Sequence, residues 1–260
     1  MSNSALVTYT KLSPNCTHPR KQAIDTVTIH CIVGQWTAKQ GCDYFASTAR
    51  QASANYIVGK DGSIGLCVDE GDRAWTSGGK LTAGGMTGSQ NDQRAITIEV
   101  ASDTTHPYVI TDKAMEALIE LLADICRRNP GIGRLRWKGD KNLVGKTEQQ
   151  NMTVHRWFAA KACPGDYLYN LHGEIAERVN AKLDEKEEPT VSEQKTTGVY
   201  KTLGDVPESY RPTIQKLMEK KALGGYSDPD PSRLDDNVLN ISEDFCRVMA
   251  VLDRLGVFDK

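Results

Sequence analysis

The stretch HRWFAAKACPG, residues 155–165, sets His155 and Cys163 eight positions apart, with Lys161 two before the cysteine and a Pro-Gly break directly after it. Imidazole and thiolate both suit zinc, and a catalytic zinc centre takes three protein ligands while keeping a fourth position open. His30 is the candidate third ligand. It lies in DTVTIHCIV, residues 25–33, whose alternation puts Val27, Ile29, Cys31 and Val33 on one face of a strand and Thr28, His30 and Ile32 on the other. Residue types and spacing leave two other readings open. The histidines could be hydrogen-bonded structural residues and the cysteine a small residue entering a turn. Cys163 could instead be a redox thiol, but that role needs a resolving partner or an adjacent base, and Lys161 is near while no cysteine is.

Several elements must position these groups. RAITIEVAS, residues 94–102, predicts a strand with Ala95, Thr97, Glu99 and Ala101 on one side. NYIVGKDGSIGLCV predicts two strands joined by a turn at Asp61-Gly62. TDKAMEALIELLADICRRN carries Met115, Leu118, Leu122 and Ile125 on one helical stripe, with Thr111 or Asp112 as cap and Asn129-Pro130 as the stop. YLYNLHGEIAERVNAKL aligns Leu171, Ile175, Val179 and Leu183. Strands interleaved with helices over residues 1–182 predict an α/β domain with a central sheet. The composition then shifts: DEKEEPTVSEQKTTG has Val191 as its one large apolar residue, which predicts an exposed linker over 183–199. Residues 200–260 predict a small C-terminal module of two short helices, with Phe245, Val248, Met249 and Leu252 on one stripe of the second. A core of that size is marginal alone, so homodimerisation through the Phe245 stripe is one expectation.

Composition narrows the classes. The 260 residues carry 32 Lys+Arg against 34 Asp+Glu, with 11 against 16 in residues 183–260, and no dense basic stripe of the kind nucleic acid demands. No run approaches the roughly 20 apolar residues of a membrane span, so membrane insertion is not expected. The start, MSNSALVTYTKLSPN, lacks a basic region followed by an apolar core, and the expectation is synthesis in the cytoplasm without a secretory signal. The seven cysteines have no CxxC spacing and read as reduced thiols, most of them small core residues.

TVTIHCIVG, SANYIVGKDGSIG, DRAWTSGG, NDQRAITIEV and TVHRWFAAKACPGDYL occur in the order and spacing of the zinc N-acetylmuramoyl-L-alanine amidases, the family shared by phage endolysins and peptidoglycan recognition proteins. The chain resembles clostridial phage and cell-wall members most closely, over residues 8–180. The resemblance implies a central mixed β-sheet flanked by helices, and Zn2+ on His30, His155 and Cys163. It implies that Glu99, in ITIE, accepts the proton of the attacking water, and that Lys161 stabilises the oxyanion on the amide carbonyl. The implied reaction is hydrolysis of the bond between N-acetylmuramic acid and L-alanine in bacterial peptidoglycan, by an endolysin that reaches the cell wall after release. Trp36, Trp75 and Trp157 would line the groove or serve the core.

There are departures. The family tyrosine ahead of the turn glycine is replaced by Ala54, and Tyr56, two residues on, is the candidate to take its role, with plain packing as the alternative. The family's AWH reads Trp75-Thr76. The tail resembles one S-layer-homology-like unit, which implies wall binding, although its acidic balance argues against simple attraction to anionic polymers. Two rivals remain at this stage: a non-catalytic peptidoglycan-binding protein, against which Cys163 speaks, and a cytoplasmic muropeptide-recycling amidase, against which the tail speaks.

Overall fold

The alternating runs TVTIHCIV and AITIEVAS form strands Thr26–Val33 and Ala95–Ser102, which pair in parallel along their whole length with His30 beside Glu99. The computed structural model describes residues 2–184, 199–220, 238–254 and 257–258. With Tyr9–Thr10 as β1, Thr26–Val33 as β2, Tyr56–Val58 as β3, Ile64–Leu66 as β4, Ala95–Ser102 as β5 and Met152–Thr153 as β6, the sheet order is β1-β4-β3-β5-β2-β6. Only the β3–β4 pair is antiparallel, so the sheet is mixed as expected. Those two strands are the hairpin read at Asp61-Gly62, where Gly62 takes φ +83° and would be strained as any other residue.

One face of the sheet is apolar. Val27, Ile29, Tyr56, Val58, Ile96, Ile98 and Val100 pack under two helices, α3 (Asp112–Arg128) and α4 (Gly165–Asp184). The α3 stripe is buried as read from spacing, its N-terminus is capped by the Thr111 hydroxyl accepting from the Ala114 amide, and it stops at Asn129. From α4, Leu168, Ile175 and Val179 enter the same core, each burial contributing about 1.5–3 kcal/mol. The other face turns Ile57 and Ile32 toward α1 (Ala38–Phe45), whose Ala38, Cys42 and Phe45 close a second core. A Cβ at Gly41 would sit 2.6 Å from Ile57, so glycine lets α1 lie close to the sheet. A short capped helix, α2 (Gly88–Asp92), precedes β5. Thr28, His30, Thr97 and Glu99 share the α1-side face, away from the α3–α4 core.

The chain divides into two compact units, Met1–Lys186 and Glu187–Lys260. Residues 185–198 of the expected linker lie outside the described residues, as does the Gly224-Gly225-Tyr226 turn of the tail. In the second unit, strands β7 (Val199–Thr202) and β8 (Val238–Ser242) pair antiparallel, a ribbon the helical reading of the tail did not include. Leu203, Val206, Ile214, Leu217, Met218 and Cys246 form its core, with α5 (Arg211–Glu219) and α6 (Glu243–Arg254) supplying the helical part. The stripe read on α6 is corrected by one position: Cys246 and Ala250 are buried, Phe245 and Met249 are partly buried, and Val248 is 54% exposed. All seven cysteines are free thiols, five of them buried. Among the described residues, no helix is long and apolar enough to cross a membrane.

Candidate metal centre

His30 is the fifth of the eight residues of β2 and is completely buried. His155 opens a single helical turn, His155–Trp157, directly after β6, the strand that pairs with β2 on the side away from β5. Cys163 lies on the loop before α4. That loop folds back on itself because the Arg156 amide donates to the Cys163 carbonyl at 3.0 Å and the Arg156 guanidinium donates to the Ala162 carbonyl at 2.7 Å. One ligand atom from each of His30, His155 and Cys163 lies within 4.8 Å of the other two. The Cys163 Sγ is 3.4 Å from His30 Nδ1, and the two imidazole rings are 5.1 Å apart.

The far sides of both rings meet one loop. Ser77 Oγ lies 3.4 Å from His30 Nε2, and the Gly78 carbonyl lies 3.3 Å from His155 Nε2. A carbonyl only accepts, so the second contact puts the His155 proton on Nε2 and leaves Nδ1 with its lone pair. Burial pushes His30 well below the ordinary histidine range, with the charge of His155 adding to it. Burial also lowers His155, and Lys161 adds to that. Burial pushes the Cys163 thiol well above its ordinary range, with Cys31 and Glu99 adding to the shift. Two imidazoles are thus held in their neutral, ligating form beside a thiol that must shed a proton to bind metal.

Glu99 stands next to His30 in the sheet register, its Oε1 3.9 Å from His30 Nδ1. Its Oε2 is buried with no hydrogen-bond partner, and burial, reinforced by Cys31, raises its pKa well above the carboxylate range. Leaving such an atom unpaired costs about 1–3 kcal/mol. Two nitrogens, one sulfur and an adjacent carboxyl with a free oxygen fit a zinc ion with an open position. Glu99 and Cys31 also line a cleft of about 310 Å³ whose walls include Trp36, Tyr44 and Arg50. There the Arg50 guanidinium lies 3.8 Å over the Tyr44 ring. Lys161 is exposed, acts electrostatically on His155, and has no ion pair among the described residues.

Tyr56 does not join this cluster, and its reading as a substrate-facing group is corrected. It pairs with Ile98, not with Glu99, so its side chain points into the α3–α4 core, where it is completely buried. Its hydroxyl donates to Glu70 Oε1 at 2.6 Å and accepts from the Ser4 amide at 2.9 Å. Thr76, in place of the family histidine, is likewise turned inward, bonded to the Ser53 carbonyl at 2.7 Å and the Thr97 hydroxyl at 2.8 Å. Of the three tryptophans, Trp36 lines the Glu99 cleft, and Trp157 stacks on Trp137 at 5.3 Å. Trp75 spends its indole N–H on the Thr17 hydroxyl at 2.9 Å. Ser77, Gly78 and Cys31 were missed as parts of the site. All three lie inside motifs, Ser77 and Gly78 in DRAWTSGG and Cys31 in TVTIHCIVG.

A family model described as N-acetylmuramoyl-L-alanine amidase matches residues 20–166. Among solved structures, the chain is similar to a mutant endolysin from Bacillus subtilis, at 14% identity and TM-score 0.47, covering 66% of this chain and 99% of that one. It is similar to a selenomethionine derivative of AmpD at 22% identity and TM-score 0.40, covering 50% and 79%. A third is Drosophila peptidoglycan recognition protein SD, at 17% identity and TM-score 0.44, covering 64% and 92%. None of the curated proteins compared matches the chain.

Proposed function

This chain belongs to the N-acetylmuramoyl-L-alanine amidase family, and from that premise we propose that it hydrolyses the amide between N-acetylmuramic acid and L-alanine in peptidoglycan, with zinc held by His30, His155 and Cys163. The observation that carries the reading is the convergence of those three ligands beside a carboxyl group with a buried oxygen that has no hydrogen-bond partner. When bound, zinc would supply Lewis acidity, which lowers the pKa of water toward neutrality.

The chain's own groups do the rest. Glu99, whose buried carboxyl holds a proton more tightly than usual, takes the proton of the attacking water and passes it to the leaving amine. Water oxygen adds to the lactyl carbonyl carbon, the carbon–nitrogen bond breaks, and the products are a carboxylate on the glycan and a free L-alanine amino terminus on the stem peptide. The Lys161 ammonium, exposed beside His155, stabilises the negative charge on the carbonyl oxygen. The aromatic wall of the Glu99 cleft gives flat surfaces for sugar or peptide.

Within this reading the chain is a wall lysin of phage or prophage type that acts after release from the cell. The unit 187–260 then serves as a wall-binding module or a site of homodimerisation. The family and the presence of a second compact unit support this, because a small soluble muropeptide needs no anchoring module. The test is digestion of purified peptidoglycan by the zinc-loaded and chelator-stripped chain, with mass analysis and end-group assay. New L-alanine termini that appear only with zinc are expected. Wall binding without new termini in either state would make the chain a recognition protein.

A further inference from the structure

The loop Thr76–Gly78 touches both candidate histidine ligands, and its backbone is held by one group. Asp92, the last residue of α2, is 1% exposed, and its Oδ2 accepts from the Thr76 amide at 3.0 Å and the Ser77 amide at 2.9 Å. From that anchored backbone the Ser77 hydroxyl reaches His30 Nε2 and the Gly78 carbonyl reaches His155 Nε2. The same helix grips β2, which carries His30, and β6, which precedes His155. Asn91, next to Asp92, donates to the Thr28 hydroxyl at 2.9 Å on β2 and accepts from the Thr153 hydroxyl at 3.1 Å on β6.

The helix is itself fixed tightly. Thr87 and Gln90 form a capping box at its start. Arg20 donates to the carbonyls of Asp92, Gln93 and Ala95 at 2.8, 2.9 and 3.1 Å. A Cβ at Gly88 would lie 1.7 Å from the Ser77 carbonyl oxygen, so the loop rests directly on the helix backbone and only glycine permits it.

We propose that Asp92 is the positioning residue of the metal centre: through the Thr76–Gly78 backbone it holds both histidines with their Nε2 atoms outward and their Nδ1 atoms toward Cys163. Partners at this remove from a metal commonly change affinity 10–100-fold when lost. The inference rests on the metal reading of the site and adds a residue that touches neither metal nor substrate.

Asp92→Ala removes the one oxygen that accepts from both N–H groups. Zinc affinity of the full chain, read by competition with a chromogenic chelator, is expected to fall about 10–100-fold in this variant while the circular dichroism of the metal-free protein is unchanged. Ser77→Ala, which keeps the backbone anchor and removes one contact, should fall by less. A folded Asp92→Ala chain with wild-type zinc affinity overturns the proposal. If that variant does not fold, the tautomers decide: in metal-free wild type, imidazole nitrogen NMR should show the proton of His30 and His155 on Nε2, and a proton on Nδ1 of His155 overturns the proposal. A wild-type chain that binds no zinc overturns the metal reading, and this inference with it.

Discussion

The two faces of the central sheet each bury a glutamate next to a strand residue, on opposite terms. On the α3–α4 face, Glu70 takes a hydrogen bond from Tyr56, two from Arg128 at 2.9 and 2.7 Å, and one from Asn129 at 3.2 Å. On the other face Glu99 has one carboxylate oxygen, Oε2, buried without a hydrogen-bond partner and the other, Oε1, 3.9 Å from His30 Nδ1, in a residue that lines a cleft. A carboxyl that is fully paired fixes structure, and one left unpaired in a lined cleft is held in readiness for a group that arrives. The same alternation along neighbouring strands builds both. One-residue offsets separate stability from chemistry: Ile98 pairs with Tyr56 on one side, and Glu99 with His30 on the other.

Breaking the chemical face should cost activity first. Cys163→Ser or His30→Ala is expected to remove bound zinc and reduce wall hydrolysis to background, as measured by metal analysis and release of amino termini. Breaking the structural face should cost stability. Glu70→Ala removes one of the two carboxylate partners of Arg128, a loss at or below the lower end of the about 3–5 kcal/mol of a broken buried pair because the arginine keeps Asp124 and a fifth of its side chain is exposed. Denaturant unfolding reads that loss, and the folded fraction should cleave peptidoglycan as the wild type does.

The α3–α4 side also holds one unpaired group, and it sharpens what an orphan atom means. His172 on α4 is completely buried, donates through Nδ1 to the Leu168 carbonyl at 2.6 Å, and leaves Nε2 without a partner. Its ring packs against Trp137 with centroids 4.5 Å apart, and burial lowers its pKa to about 4 from 6.5. Between those values the unfolded chain binds more protons than the folded one, so stability is intact above pH 6.5 and falls as pH drops toward 4, by about 3 kcal/mol in all. Urea titrations across that range should show the slope, and His172→Phe should flatten it. The smallest expected effect is that of Tyr56→Phe. It removes the hydroxyl shared with Glu70 and Ser4 and should cost about 1–2 kcal/mol of stability with unchanged turnover.

Much of this was legible in the chain before folding. Alternation in DTVTIHCIV and RAITIEVAS placed His30 and Glu99 on the less apolar faces of their strands, and the helix stripes placed Met115 to Ile125 in the core. What alternation along one strand does not disclose is which face of the sheet its neighbours share. Tyr56 is the example: its polar tip suggested substrate, but its register with Ile98 sends it inward, where Glu70 and Ser4 absorb the hydroxyl. The Thr76–Gly78 contacts with the histidines bridge 47 and 77 positions of sequence through side-chain and backbone atoms, and no local pattern encodes such pairs. In the tail, helix periodicity was visible while β7 and β8, four and five residues long, gave too short a pattern to read.

The most direct test of the contrast between the two faces is Glu99→Gln, which keeps size and hydrogen-bonding reach and removes the proton acceptor. Zinc content, fold and binding to the wall should match the wild type while release of L-alanine termini falls about 10²–10⁴-fold. A Glu99→Gln chain that cleaves peptidoglycan at the wild-type rate would show that the unpaired carboxyl takes no part in the chemistry, and the contrast with Glu70 would lose its functional meaning.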